Sequence, residues 1–358
     1  LPLRARAFVF EAPASGRKLG YVHCELAFIT LAIRQEVIAA LKEMPELGLG
    51  EDNLLLVANH THSAPGGQSH YLLYNIPIGG YSQAQVDVPF RGILEALRAA
   101  DAAKQPVELR RAAGDFPPDV PVAFNRAWAA HSANADTESF SYERRHLAVD
   151  RTMRLLRLDR PGGAALGAIN WFAVHASNVH SDQDVITPDN KGWAALRMEE
   201  GRGEFIAAFA QAAAGDVSPN FRRYPGLPEM RGADPDDLTA MRINGDFQHE
   251  KAEELWQEAG ASSPLPQRVD GILRYVRMSN RPVDPDFAGG KPNIRTGPAV
   301  LGVDFIRGTR EGEGEHGFLP WLVERLSRWN GLPSRYAATH APKVPFVQSE
   351  EQRFLGFS

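Results

Sequence analysis

Asn53-Leu54-Leu55-Leu56-Val57-Ala58 runs directly into Asn59-His60-Thr61-His62-Ser63-Ala64-Pro65-Gly66-Gly67. A short, uninterrupted apolar run fits a strand buried on both faces, as in a sheet covered by helices. The polar cluster behind it then falls at the strand's carboxyl end, where open α/β sheets gather their ligand sites. The same pattern recurs twice. Ala165 to Val174 leads into His175-Ala176-Ser177-Asn178, and Phe205 to Ala210 leads towards Gly215-Asp216-Val217-Ser218-Pro219-Asn220. If these strands run roughly parallel, one edge of the sheet collects all three clusters.

Helical spacing separates the strands. Leu31, Ile33, Val37, Ile38 and Leu41 predict a helix over Leu31 to Lys42. Further helices are predicted at Gln85 to Ala103, at Trp193 to Glu200, and as one helix or a pair over Asp234 to Ala259. An opening hairpin joins Arg6–Glu11 to Leu19–Cys24 through Pro13-Ala14-Ser15-Gly16. Strands are also predicted at Met153 to Leu158 and, by alternation, at Val269 to Met278. Beyond Asn280 the composition turns to Pro, Gly and Arg, and Gly302 to Gly317 reads as a long loop. The fold class is therefore α/β: a mixed sheet covered by helices, with an active site at the carboxyl ends of its strands.

Bulk properties narrow the function. With 39 Lys and Arg against 44 Asp and Glu, the chain has neither a basic surplus nor a basic stripe, which argues against nucleic acid as a partner. Cys24 is the single cysteine, so no intrachain disulfide exists. No segment is apolar enough to span a bilayer.

The candidate chemistry lies in the polar clusters. In an extended segment His60 and His62 point to one side, and histidine is the commonest metal ligand. Read singly, His175 suits a buried structural role as well as a ligand role. His180 is an alternative ligand, but its polar loop with Asp182 and Asp184 suggests simple exposure. Ser218 reads either as a turn cap or as a hydroxyl held against a substrate. No Gly-x-Ser-x-Gly elbow surrounds it, and no HExxH helix occurs in the chain.

Taken in order, the strings from Asn59 to Gly67, Trp171 to Ser177, Thr187 to Gly192, Phe205 to Gln211 and Gly215 to Asn220 resemble the neutral (alkaline, non-lysosomal) ceramidase family over nearly the whole chain. The resemblance implies a Zn2+-dependent amidohydrolase that splits ceramide (N-acylsphingosine) into a fatty acid and a sphingoid base. It implies His60 and His175 as zinc ligands. His62, Arg126 in Phe124-Asn125-Arg126, and Ser218 become catalytic and substrate-binding residues. Ser218 acts as nucleophile or as an orienting hydroxyl, water being the nucleophile in the second case. The remaining zinc ligands of the family, a glutamate and a tyrosine, are expected beyond Ser358, with Asp182 as a substitute inside the chain. Residues 1–358 thus read as the family's catalytic domain, incomplete at both ends and without its C-terminal immunoglobulin-like domain. The resemblance further implies a secreted or periplasmic enzyme in transient contact with membrane surfaces. Another N-acyl substrate, or a catalytically silent lipid-binding relative, are the alternatives.

Overall fold

The computed structural model describes residues 1–75, 78–296, 299–302, 345–349 and 353–354. The predicted loop at 302–317 lies almost wholly outside them. Two compact units divide the chain, Leu1–Leu273 and Arg274–Ser358.

The first unit holds strands β1 (Ala5–Glu11), β2 (Lys18–Cys24), β3 (Leu54–Ala58), β4 (Glu108–Asp115), β5 (Phe124–Asn125), β6 (Thr152–Asp159), β7 (Ala165–Phe172), β8 (Ile206–Gln211) and β9 (Val217–Ser218). Its α-helices are α1 (Leu31–Lys42), α2 (Leu72–Asn75), α3 (Gln83–Ala102), α4 (Trp128–Ser132), α5 (Asp189–Glu199) and α6 (Asp237–Ala261). The strands form two mixed sheets and a small ladder. One sheet has the order β1-β2-β3, the other β4-β6-β7-β8, and β5 pairs with β9. β2 and β3 are parallel, as are β7 and β8, each pair bridged by a helix.

Period-2 alternation explains the layering. Val22 and Cys24 of β2 face the apolar stripes of α1 and α3, including Ile33, Val37, Ile93 and Leu97. Their neighbour Tyr21 and Phe8 of β1 turn the other way, onto Leu158, Ile169 and Ala208 of the second sheet. That sheet's opposite face, with Leu155, Ala168, Phe172 and Phe209, packs on Met198 of α5 and Leu255 and Trp256 of α6. The result is four layers, helix–sheet–sheet–helix. Helices cover the sheets as the sequence implies. The pairing of two sheets face to face is not encoded in any local pattern.

Two helices start at side-chain caps. Thr30 accepts the amide of Ile33 ahead of α1, and Asp236 accepts that of Thr239 ahead of α6, which is a single helix. α5 begins at Asp189, four residues before its predicted start. Its first turn consists of buried polar residues, Asp189, Asn190 and Lys191, which apolar periodicity cannot register.

The alternation at 269–278 does not become a strand. In the second unit, β10 (Ala299–Gly302), β11 (Pro345–Ser349) and β12 (Arg353–Phe354) form an antiparallel sheet. Among the described residues no helix is long and apolar enough to cross a membrane.

Candidate metal centre

The three polar clusters do converge, although they leave strands of two different sheets. Past β3, the amides of Asn59 and His60 still donate to the carbonyls of Cys24 and Leu26. Thr61 then forms a parallel bridge to Ala176, and the amide of His62 donates to the Ala176 carbonyl. His175 in turn donates its amide to the carbonyl of Val217 in β9. Backbone hydrogen bonds thus tie the first cluster to the second and the second to the third.

His60 departs from the extended geometry assumed in the sequence. Its φ is 69°, a left-handed conformation that costs a non-glycine residue about 1–2 kcal/mol. His60 and His62 nevertheless converge, their Nε2 atoms 3.4 Å apart. The turn of the chain at His60, not strand alternation, brings the rings together.

Two carbonyls set the tautomers. His60 Nδ1 lies 2.6 Å from the carbonyl oxygen of Ala27, and His175 Nδ1 lies 2.8 Å from that of Val217. A carbonyl only accepts, so each Nδ1 carries the proton and each Nε2 keeps a lone pair. Histidines that bind metals are held in this way. The ligand atoms of His60, His62 and His175 all lie within 4.8 Å of one another, forming a group that could hold a metal ion. Among the described residues no carboxylate joins this group.

Burial and nearby positive charge keep His62 and His175 neutral. Burial pushes His175 down to about 3, helped by the positive charge of Arg126 and by His60 and His62, against the opposing bond to Val217. Desolvation, His60 and Arg126 push His62 down to about 4, although this residue is exposed, which tempers the desolvation. Neutral imidazole is the form that ligates.

The β5–β9 ladder supplies the other candidates. Phe124 pairs with Ser218, and two residues along the strand the amide of Arg126 donates to the Asp216 carbonyl. Ser218 is buried, and its Oγ accepts the amide of Asn220 at 3.1 Å. No imidazole is hydrogen-bonded to that Oγ among the described residues.

Two expectations change. His180 is buried, not exposed, with Nδ1 on Asp237 at 3.1 Å. Asp182 pairs with Arg231 at 3.2 Å and is outside the histidine group. The supporting amides carried no signal of their own. Asn59 Nδ2 donates to the Pro188 carbonyl, Thr61 Oγ1 to that of Thr187, and Asn190 Nδ2 to those of His175 and the Asn178 side chain. All four residues are fully enclosed. Their only trace in the sequence is a density of small polar residues behind apolar runs.

A family model described as neutral/alkaline non-lysosomal ceramidase, N-terminal, matches residues 1–338. The chain belongs to this family. It is 33% identical to the neutral ceramidase of Pseudomonas aeruginosa over 98% of this chain and 50% of that protein. With the neutral ceramidase of Mycobacterium tuberculosis it shares 32% identity, over 95% of this chain and 54% of the relative. A solved structure described as ceramidase complexed with C2 aligns with a TM-score of 0.80 and 32% identity, covering 97% of this chain and 53% of the other. The chain therefore spans about half the length of the ceramidases it matches.

Proposed function

We propose that this chain is the catalytic part of a zinc-dependent ceramidase, which hydrolyses the amide bond of an N-acyl sphingoid base to a fatty acid and the free base. The observation that carries this reading is the pair His60 and His175, each with Nδ1 tied to a carbonyl and Nε2 turned into one shared space. Zn2+ held there supplies Lewis acidity, which polarises a carbonyl and acidifies water. Zinc takes four ligands in all. The remainder is proposed to be the glutamate and the tyrosine that the family resemblance implies.

The chain's own side chains do the rest. His62, neutral at pH 7, presents its ring at the open rim beside His60 and contacts the reacting oxygen. Arg126 supplies positive charge to the developing oxyanion, and a preorganised donor of this kind is worth about 3 kcal/mol. Ser218 orients the substrate through its O–H. Its Oγ receives a backbone amide and, among the described residues, has no imidazole base attached, which favours water over the serine as nucleophile.

Exposed Phe28 follows Ala27, the residue that holds His60, and its ring lies 5.7 Å from that of exposed Tyr74. They offer apolar surface to the substrate's chains and to a membrane during transient contact. The family reading carries export to the periplasm or the medium, to be read by cell fractionation.

Chelation of the full-length protein is expected to abolish ceramide hydrolysis, and added zinc to restore it. Full activity without metal removes the reading. A panel of ceramides against N-acyl amino acids separates this substrate from other amides, and zinc binding without turnover would mark a silent lipid-binding relative.

A further inference from the structure

His180 and Asp237 stand outside the histidine group, yet they are enclosed as tightly as core residues, with side chains only 5% and 3% exposed. Asp237 opens α6. Its carboxylate accepts the His180 ring Nδ1–H, at 3.2 and 3.1 Å from its two oxygens, and the His180 backbone amide at 3.0 Å. Arg231 Nε closes the same carboxylate from a third side at 3.2 Å. The remaining rim carboxylate, that of Glu229, is half in solvent and 3.6 Å from His180 Nε2. Burying such a group costs desolvation that apolar side chains would not incur.

With its proton on Nδ1, the neutral imidazole presents Nε2 as an acceptor. That atom faces Asn220 Nδ2 at 3.4 Å. The same Nδ2 donates its second proton to the Ser177 carbonyl at 2.7 Å, and Asn220 Oδ1 accepts from Asn178. The Asn220 side chain is therefore held on every polar atom. Its backbone amide is the donor to Ser218 Oγ. By filling one lone pair of the hydroxyl, that amide decides where the O–H can point.

We propose that His180 and Asp237 are a positioning pair which, through Asn220, orients the Ser218 hydroxyl. The proposal rests on the reading of Ser218 as a substrate-orienting group, and the experiment separates the two.

In the full-length, zinc-loaded enzyme at alkaline pH, where the imidazole is neutral, two variants probe the pair. His180→Asn keeps an amide nitrogen near the place of Nδ1 for Asp237 and removes the contact to Asn220. Asp237→Asn keeps the shape but puts an amide donor in place of the carboxylate oxygen that faces Arg231 Nε and the ring Nδ1–H, which loosens the ring against Asn220. Each is expected to lower kcat about tenfold with KM within about twofold and zinc content unchanged. In a Ser218→Ala background neither should lower kcat further, because the pair acts only through that hydroxyl. Equal losses in both backgrounds, or wild-type kcat in both variants while Ser218→Ala is impaired, would overturn the positioning role alone. Wild-type kcat in Ser218→Ala would overturn the reading of Ser218, and the proposal with it.

Discussion

Lys191 gives the sharpest stability test, because the structure buries its ammonium completely without a carboxylate bonded to it. Its Nζ donates to the Phe172 carbonyl at 2.9 Å and the Ala210 carbonyl at 3.4 Å, the ends of the two parallel strands that lead to His175 and Ser218. Burial pushes its pKa down to about 7, with the charge of Asp189 opposing. Unfolded, a lysine titrates near about 10.4. Between these values the unfolded chain keeps a proton that the folded chain has released, so stability rises with pH. Integrated from about pH 7 to about pH 9, the gain from this one group is roughly 2 kcal/mol. Asp189, pushed up to about 6 by burial, finishes most of its titration below that window. Lys191→Met removes the titration and the two Nζ hydrogen bonds, while the Phe172 carbonyl keeps the Ala212 amide as a donor, a loss of about 1–3 kcal/mol that does not vary with pH. Urea unfolding of both proteins across that pH range should show the wild type gaining roughly 2 kcal/mol on the variant. Parallel pH dependences would refute the assignment of a released proton to Lys191.

Three further outcomes follow from the supports of the site. Asn190→Ala removes the donors to the His175 carbonyl and to Asn178; zinc affinity by calorimetry should fall about 10–100-fold, and an unchanged affinity would deny Asn190 that part. Arg6 bridges Glu25 at 2.6 Å and Glu199 at 2.7 Å, all largely enclosed. Arg6→Ala takes the guanidinium from Glu25, which keeps the Arg4 backbone amide, and from Glu199, which keeps the half-exposed Arg4 side chain; denaturant unfolding should register a loss of about 3–5 kcal/mol, whereas a loss near zero would mean that solvent reaches the pair. Gly67 has φ 79°, and a Cβ there would stand 3.1 Å from the Gly80 carbonyl. Gly67→Ala should cost about 1–2 kcal/mol locally, seen as faster exchange of the Ser82 amide, which donates to the Gly67 carbonyl; unchanged protection would count against the strain.

Apolar periodicity made most of the layers legible, since Leu54 to Ala58, Ala165 to Phe172 and the stripe from Ile33 to Leu41 are all built on burial. The convergence of the clusters that hold His60 and His175 was legible as well, because polar clusters gather at strand ends in α/β topology; their ligand role is what the family resemblance implies. Three things were not. Tyr21 facing Ile169 across two sheets is a relation between distant segments, which no window of sequence contains. Asp189, Asn190 and Lys191 look like a polar loop because their burial is compensated by hydrogen bonds, not by apolarity. His180 looked exposed for the same reason, since its partner Asp237 lies 57 positions away.

The central claim is that His60 and His175 hold the zinc on which amide hydrolysis depends. Metal content and ceramide hydrolysis, measured together on full-length wild type and on folded His175→Ala, test it most directly. The account predicts stoichiometric zinc and turnover in the wild type, with both lost in the variant while unfolding remains cooperative. A His175→Ala protein that hydrolyses ceramide at the wild-type rate, with or without bound zinc, would contradict it.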